Sequence, residues 1–245
     1  MRFALTSDTH WAFYGQATVK STRKMWQNLA KEDFDILFHT GDWCTIEACK
    51  QMGRALAQCR RYIDKPILTV LGNHDYWNKP KKDPRELLAA HAEVFKKYDI
   101  HHLWNNPYYY KDFVFVGFDG WYKNIDPPTN DHHHMPMDVD GAPIHKWMNK
   151  KADDDFYNVL NAMQSNKRCI CATHFSPFVR KDDHKGKDFC ANEKYLPIIT
   201  ESCEYLLVGH SHSYLRIVKD DCTIIECGSD YNEPAYIIEE VEEKK

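Results

Sequence analysis

The sequence predicts an α/β protein in which parallel strands alternate with helices. Short apolar runs in the first half are separated by segments with an apolar residue every three or four positions, which is the spacing of an amphipathic helix. A helix between successive strands is typical of parallel βαβ units. Periodicity alone establishes this class and no particular topology.

The N-terminal half contains three predicted strand–helix pairs. Strands are predicted at residues 2–7, 35–40 and 66–70, and helices at 21–31, 47–62 and 83–98. The third helix has the clearest start, because Asp83 can cap it and Pro84 suits its first turn.

The C-terminal half has more strands and two long polar segments. Beyond a helix at 144–164 and a short one before residue 205, the strands are predicted at 108–111, 113–118, 168–173, 205–208, 214–218, 223–227 and 235–239. Residues 119–143 and 175–190 are interpreted as loop insertions, and long loops in compact domains are commonly functional. We found no internal repeat or linker and expect a single domain over residues 1–245.

Composition excludes several classes of protein. With 43% hydrophobic and 28% charged residues the chain is of ordinary globular type, and its formal net charge of −4 argues against a general nucleic-acid-coating protein. No apolar run approaches the ~20 residues of a membrane span, and polar residues follow the N-terminus too early for a signal peptide. The nine cysteines lack zinc-finger spacing, so we expect reduced core thiols and a cytoplasmic location.

Five predicted strands end in residues drawn from Asp, Asn and His. A single polar residue after a strand is ordinary loop punctuation, whereas five such sets suggest a shared site at the strand ends. Residues two apart on an extended backbone also point the same way, so a pair of them can converge on one centre. The sets are Asp8-Thr9-His10, Gly41-Asp42, Gly72-Asn73-His74-Asp75, His174 and Gly209-His210-Ser211-His212.

These five blocks, in this order, resemble the motifs of the calcineurin-like metallophosphoesterase superfamily. The resemblance spans residues 8–212, and each of the five blocks is present. It implies a four-layer α/β/β/α sandwich of two mixed β-sheets.

The resemblance also implies a centre of two metal ions. One ion is expected to bind Asp8, His10, Asp42 and His212, and the other Asp42, Asn73, His174 and His210. The donor types agree with this, because a nitrogen-rich set favours Mn, Fe, Co, Ni or Zn over Ca or Mg. We expect manganese to serve as the metal in vitro. Asp42 is expected to be shared, because its carboxylate can give one oxygen to each of two ions ~3.5–4 Å apart.

A phosphoesterase mechanism follows from the same resemblance. A hydroxide between the ions would attack phosphorus in line, while His74 would protonate or stabilise the leaving oxygen. Asp75 either orients His74 or caps the turn, and the residues leave both alternatives open.

The substrate class is narrowed by departures from better-known members. No Arg follows Gly41-Asp42, and Asp75 stands in place of Glu, so a protein phosphatase is disfavoured. His74 occupies a position where lipid-precursor pyrophosphatases have Arg. A nucleotide or other small phosphoester is therefore expected. A nuclease or nucleic-acid end-processing enzyme is the alternative, and a non-catalytic scaffold is a further one.

Other residues are weaker candidates for the site. Trp121 and Tyr122 could be core aromatics or could stack on a substrate, and we favour the second interpretation. His39 is expected to pack or to support a ligand. Three segments could line the rim or be solvated loops: residues 79–82 and 180–187, both basic, and the histidines at 132–134.

Overall fold

Two β-sheets packed face to face form the centre of the fold. The structure is a computed structural model that describes residues 1–45, 47–123, 131–178, 192–231 and 233–242. Its α-helices are α1 (Gln16–Leu29), α2 (Ala48–Arg60), α3 (Pro84–Lys97), α4 (Asp131–His134), α5 (Ile144–Met163) and α6 (Tyr195–Ser202). Its strands are β1 (Arg2–Thr6), β2 (Ile36–His39), β3 (Ile67–Thr69), β4 (Ile100–His102), β5 (Tyr108–Tyr110), β6 (Phe113–Phe118), β7 (Asp138–Val139), β8 (Ala142–Pro143), β9 (Arg168–Thr173), β10 (Tyr205–Val208), β11 (Tyr214–Lys219), β12 (Cys222–Cys227) and β13 (Tyr236–Glu240).

Both large sheets are mixed. In the first, with the order β13-β1-β2-β3-β4, strands β1 to β4 are parallel and β13 runs antiparallel to β1. In the second, with the order β11-β12-β10-β9-β6-β5, the four inner strands are parallel and the two edge strands antiparallel. The predicted pair of mixed sheets is therefore confirmed.

Alternation of side chains along the strands separates three hydrophobic layers. In β1, Phe3 and Leu5 face the second sheet, whereas Ala4 faces helices α1 to α3. On the far side of the second sheet, residues of β6 such as Val116 pack against α5 and α6. Because each sheet buries both faces, the layers follow the order α/β/β/α.

Three sequence-based predictions need correction. Residues 119–143 were expected to be a loop, but the described part contains α4 and the hairpin β7–β8, with Met135 and Val139 buried. Strand β4 was not predicted, because two of its three residues are histidines and the apolar signal is absent. Helix α1 begins at Gln16, five positions before its predicted start. Most of the 175–190 segment lies outside the described residues.

Seven cysteines lie in the protein core, as predicted: Cys44, Cys59, Cys169, Cys171, Cys203, Cys222 and Cys227 are all buried. In a separate respect, none of the described helices is both long enough and apolar enough to cross a bilayer.

Candidate metal centre

The five polar blocks meet at one edge of the sandwich. Asp8 and His10 follow β1, Asp42 follows β2, and Asn73 lies beyond β3. His174 follows β9 of the second sheet, and the residues after β10 lie beside it. Because these neighbouring strands are parallel within each sheet, their carboxyl ends share an edge and the side chains converge.

Hydrogen bonds between the turns hold this edge together. The backbone N–H of Asp8 donates to the Gly41 carbonyl, and that of His10 donates to the Asp42 carbonyl, each at 3.0 Å. Both oxygens of the Asp8 carboxylate lie 3.0–3.2 Å from the backbone nitrogen of His210. The end of β1 is therefore tied to turns from both sheets.

One group of donor atoms comes from Asp8, His10 and His212. Nε2 of His10 lies 3.2 Å from Nε2 of His212, and the two rings are parallel within 4°. Asp8 Oδ1 lies 3.6 Å from the His212 nitrogen and 3.9 Å from that of His10. Three potential ligand atoms thus face one point.

A second group comes from Asp42, Asn73, His174 and His210. Nδ1 of His174 is 2.7 Å from the Thr40 carbonyl and donates to it, which leaves Nε2 as the candidate ligand atom. This Nε2 lies 3.3 Å from Asn73 Oδ1 and 3.5 Å from Asp42 Oδ2. His210 completes the group, with a ligand atom within 4.8 Å of those of Asp42 and His174.

Asp42 lies between the two groups. Its Oδ2 is 3.5 Å from His174 Nε2 and 3.7 Å from His10 Nε2, while its Oδ1 accepts the His74 backbone N–H at 2.9 Å. A single carboxylate therefore faces donors of both groups, as a bridging ligand must.

The spacing of the donors fits transition-metal ions. Metal–nitrogen bonds of about 2.0–2.1 Å, at tetrahedral or octahedral angles, separate neighbouring donors by about 2.8–3.4 Å. The distances of 3.2 Å from His10 to His212 and 3.3 Å from His174 to Asn73 lie within this range. The His and Asp groups are therefore positioned for metal binding.

The backbone around these residues is strained. Five of the candidate ligands have φ angles in the left-handed region: Asp8 (50°), His10 (39°), Asp42 (57°), His210 (75°) and His212 (58°). Such conformations are unfavourable for residues other than glycine and concentrate at functional sites. Gly72 allows the turns to approach closely, because a Cβ there would lie 2.1 Å from Asp42 Oδ1.

Burial and charge set the protonation of the donors. Burial lowers the pKa of His10 and of His210 well below the usual histidine value, so both rings are neutral near pH 7, the form that binds a cation. Burial also opposes protonation of His174, yet the Asp42 carboxylate raises the pKa of His174 to about 10. Although burial disfavours its ionised form, His174 and His74 hold the pKa of Asp42 well below its usual range. A divalent cation at this pair would replace a proton.

His74 lies beside both groups, and its ring is fixed by packing. The imidazole stacks on Trp77 with 3.7 Å between ring centroids and is 4.5 Å from the His10 ring. A ligand atom of His74 lies within 4.8 Å of those of His10 and Asp42. Its position thus allows contact with a molecule held by the donors.

Asp75 ties turns together. Its carboxylate accepts backbone N–H groups from Asp42, Cys44 and Gly72, at 2.9, 3.1 and 3.0 Å. Of the two roles left open by the sequence, these bonds favour the one in which Asp75 caps the turn. His91, on α3, bonds to the Asp75 carbonyl through Nε2 from the interior.

Asp131 was missed by the sequence analysis. It begins α4, is fully buried, and its Oδ1 accepts from Asn73 Nδ2 at 3.2 Å and from Trp77 Nε1 at 2.5 Å. The first of these bonds turns the Asn73 carboxamide so that its oxygen faces His174. No local signal marks Asp131, since it stands in a polar segment far from the five blocks.

Trp121 and Tyr122 are both buried, at 1% and 2% exposure. Trp121 packs in the core with its indole N–H bonded to His145, and the ring centroid of Tyr122 lies 5.4 Å from that of His210. Neither ring presents an exposed face, and substrate stacking on them stays a prediction.

The remaining candidates have mixed positions. His39 is buried and stacks on Trp43 at 3.5 Å, which is a packing role. Of the histidines at 132–134, now within α4, His133 is exposed and His134 stacks on Trp77 at 4.4 Å. Lys79 and Lys81 are exposed, whereas residues 180–187 lie outside the described part of the chain.

The fold and this cluster together define a class of protein. A two-sheet α/β/β/α sandwich with His and Asp donors at the carboxyl ends of parallel strands is the arrangement of a metallophosphoesterase. The chain belongs to the calcineurin-like phosphoesterase family, whose family model matches residues 1–214.

Solved structures agree with this fold at low sequence identity. The phosphopantetheinyl hydrolase PptH of Mycobacterium tuberculosis superposes with a TM-score of 0.69 at 14% identity, covering 92% of this chain and 88% of that one. The protein TT1561 of Thermus thermophilus gives 0.64 at 15% identity, with 93% and 88% covered. A dimetal phosphatase from Danio rerio gives 0.60 at 13% identity, with 97% and 91% covered. No curated protein matches the chain.

Proposed function

We propose that this chain is a dinuclear metal-dependent phosphoesterase acting on a nucleotide or another small phosphoester. The observation that carries the proposal is the position of Asp42, whose Oδ2 lies 3.5 Å from a donor of one group and 3.7 Å from a donor of the other. Membership of the calcineurin-like phosphoesterase family supports the reaction class.

We assign each ion four protein ligands. The first set is Asp8, His10, Asp42 and His212, and the second is Asp42, Asn73, His174 and His210. When bound, two divalent ions would supply a water of lowered pKa as nucleophile and would neutralise charge on the phosphoryl oxygens. We propose Mn²⁺ as an ion that activates the chain in vitro, because the nitrogen-rich donor set suits transition metals.

The charge of the donor set suits an anionic ester. Asp8 and Asp42 are its only formally negative members, and burial keeps His10 and His210 neutral. Two carboxylates cannot balance two divalent cations, so the centre stays cationic and attracts a phosphoester.

His74 is assigned to the leaving oxygen. Burial lowers the pKa of His74, against the opposing effect of Asp42 and Asp131, so the ring is neutral at pH 7. A neutral imidazole can donate an N–H bond to the developing alkoxide, which stabilises the charge as the ester bond breaks. Stacking on Trp77 keeps the ring in place for this bond.

Metal-dependent turnover tests the proposal. Chain stripped of metal should hydrolyse p-nitrophenyl phosphate or bis-p-nitrophenyl phosphate only after Mn²⁺ is restored, and Asp42→Ala should lower kcat at least about a thousandfold, as expected when both ions are disturbed. Asp138→Ala, an exposed carboxylate on the β7–β8 hairpin, is the matched control. Two bound ions with no turnover of any phosphoester would contradict the proposal and favour a scaffold.

A further inference from the structure

Aromatic side chains from two separate loops cover one side of the metal centre. Phe13 and Tyr14 follow His10 in the chain, and Tyr231 comes from the segment after β12. Tyr231 stacks on the rings of both His10 and His212, with 4.5 Å between centroids in each case and interplanar angles of 29° and 27°.

These three residues, hereafter the aromatic wall, form a continuous surface. Phe13 lies 4.5 Å from Tyr231 and 4.8 Å from Tyr14. Phe13 is also 6.0 Å from the His10 ring and 6.4 Å from that of His74. The wall therefore begins at the metal donors and passes beside the residue assigned to the leaving group.

Exposure increases from the metal donors along the wall. His10, beside the wall, is fully buried, Phe13 and Tyr231 are half-buried, and Tyr14 is 54% exposed. The backbone N–H of Tyr14 donates to Thr18 Oγ1 at 3.0 Å, which fixes this segment against the start of α1. The outermost ring, Tyr14, therefore keeps an aromatic face in water on a backbone that is bonded to α1.

We propose that the aromatic wall is a subsite for a planar ring on the ester-bound group of the substrate, either a nucleobase or an aryl group. The inference rests on the proposed phosphoesterase function and adds a substrate class to it. Phe13 has no polar atom, and Tyr14 and Tyr231 add further π faces, so stacking is the main contact that the wall offers to a flat ring. It should therefore tolerate different bases.

The geometry also fixes which end of the substrate meets the wall. The phosphate must lie beside Asp42, between the donor group of His10 and His212 and that of His174 and His210. The ester-bound part of the substrate must then pass His74 as it leaves. Phe13 lies within contact distance of His74, so a ring attached through a sugar or a methylene group lies along the wall. Trp77 also stacks on His74, but it stacks on His134 as well and is only 5% exposed, so it offers no comparable open face.

A matched pair of substrates tests this subsite. Benzyl phosphate and cyclohexylmethyl phosphate are of similar size, and both release a primary alkoxide as the leaving group. Only the benzyl ester has a π face. The Mn²⁺-loaded full chain should prefer benzyl phosphate about tenfold in kcat/KM, the order of magnitude of one stacking contact. Tyr14→Leu should lower this preference at least threefold, mainly through KM, and Tyr14→Phe should keep it.

Control variants and outcomes separate the two proposals. Tyr109→Leu removes an equally exposed tyrosine, 58% exposed, from edge strand β5 and should leave the preference unchanged. Equal kcat/KM within both this pair and a nucleotide pair, or an unaltered preference in Tyr14→Leu, would overturn the subsite alone. Failure to hydrolyse any of these esters or the p-nitrophenyl esters, with metal bound, would overturn the phosphoesterase function itself.

A second pair identifies the source of the ring. Adenosine 5′-monophosphate and ribose 5-phosphate carry the same phosphomonoester and differ in the base. A preference for the nucleotide that falls in Tyr14→Leu assigns the wall to nucleobases. A preference confined to the benzyl ester assigns it to aryl groups, and no preference in either pair refutes the inference.

Discussion

Replacement of Asp131 by alanine tests how Asn73, a proposed metal ligand, is held. The Asp131 carboxylate is fully buried, and its Oδ1 accepts from Asn73 Nδ2 and from Trp77 Nε1. The Asn73 amide has an oxygen and a nitrogen of nearly equal shape, and the bond to Asp131 selects the orientation in which the oxygen lies 3.3 Å from His174 Nε2. In Asp131→Ala the amide is free to turn its NH₂ group toward the metal.

The expected loss can be estimated from these contacts. A hydrogen bond to a charged partner contributes roughly 1.5–3 kcal/mol, and loss of a group that orients a ligand usually weakens metal binding about 10–100-fold. Asp131 Oδ1 accepts bonds from Asn73 and Trp77, and only the bond from Asn73 acts on a proposed ligand. We therefore expect the second ion to bind about tenfold more weakly, at the lower end of the 10–100-fold range. The first ion should be unaffected, because Asp8, His10 and His212 are fixed by the ends of β1 and β10.

Competition with a chromogenic chelator resolves the two affinities. Wild type, Asp131→Ala and the surface control Asp138→Ala are titrated with Mn²⁺ at fixed pH, and thermal unfolding of each metal-free chain monitors integrity. Equal weakening at both sites, or no weakening at either, would refute the assigned role of Asp131.

Three further predictions concern residues within the cluster. His74→Ala should retain both ions but lower turnover about 10²–10⁴-fold, the range for a group that assists proton or charge transfer. Metal analysis checks this, because loss of an ion would make His74 a ligand instead. Because Asp42 raises the pKa of His174 to about 10 against the effect of burial, the second ion must displace a proton, and its affinity should rise about tenfold per pH unit between pH 7 and 9. By the same linkage, the ion pair of His174 with Asp42 stabilises the metal-free chain below pH ~6.5, and this stabilisation is lost as pH rises through about 10. Calorimetric titration measures the metal affinity, and thermal melts measure the stability. A metal affinity that does not change with pH would contradict the pairing. Gly72→Ala places a methyl group 2.1 Å from Asp42 Oδ1, so it should destabilise the fold by about 1–3 kcal/mol and reduce metal content. Gly53→Ala is the control and should be tolerated, because the nearest atom to the added methyl group is 3.8 Å away. Equal effects of the two variants in denaturation would show that the close approach at Gly72 is unimportant.

The parts of the site that were predictable carry local signals. Asp8, Asp42 and His174 each come within four residues of the end of an apolar run, so strand and candidate ligand appear together in the sequence. Parallel topology then brings the strand ends to one edge without further information. The layer order was expected only from the resemblance to the family, because the periodicity of the sequence indicates the α/β class and no topology.

The parts that were missed depend on tertiary contacts. Asp131 reaches Asn73 only because α4 packs beside the turn after β3. Trp121 follows a strand just as the ligands do, yet its ring turns into the core, and residue order cannot distinguish these directions. Tyr231 meets His10 across more than two hundred residues, and no periodic pattern connects them.

The most direct test of the central claim is the number of Mn²⁺ ions bound per chain in wild type and in Asp42→Ala. Because Oδ2 of Asp42 faces donors of both groups, one substitution should disturb both ions. We predict two ions per wild-type chain and, at the same free Mn²⁺ concentration, fewer than one in the variant. Two ions retained by Asp42→Ala, or none bound by the wild type, would contradict the shared centre.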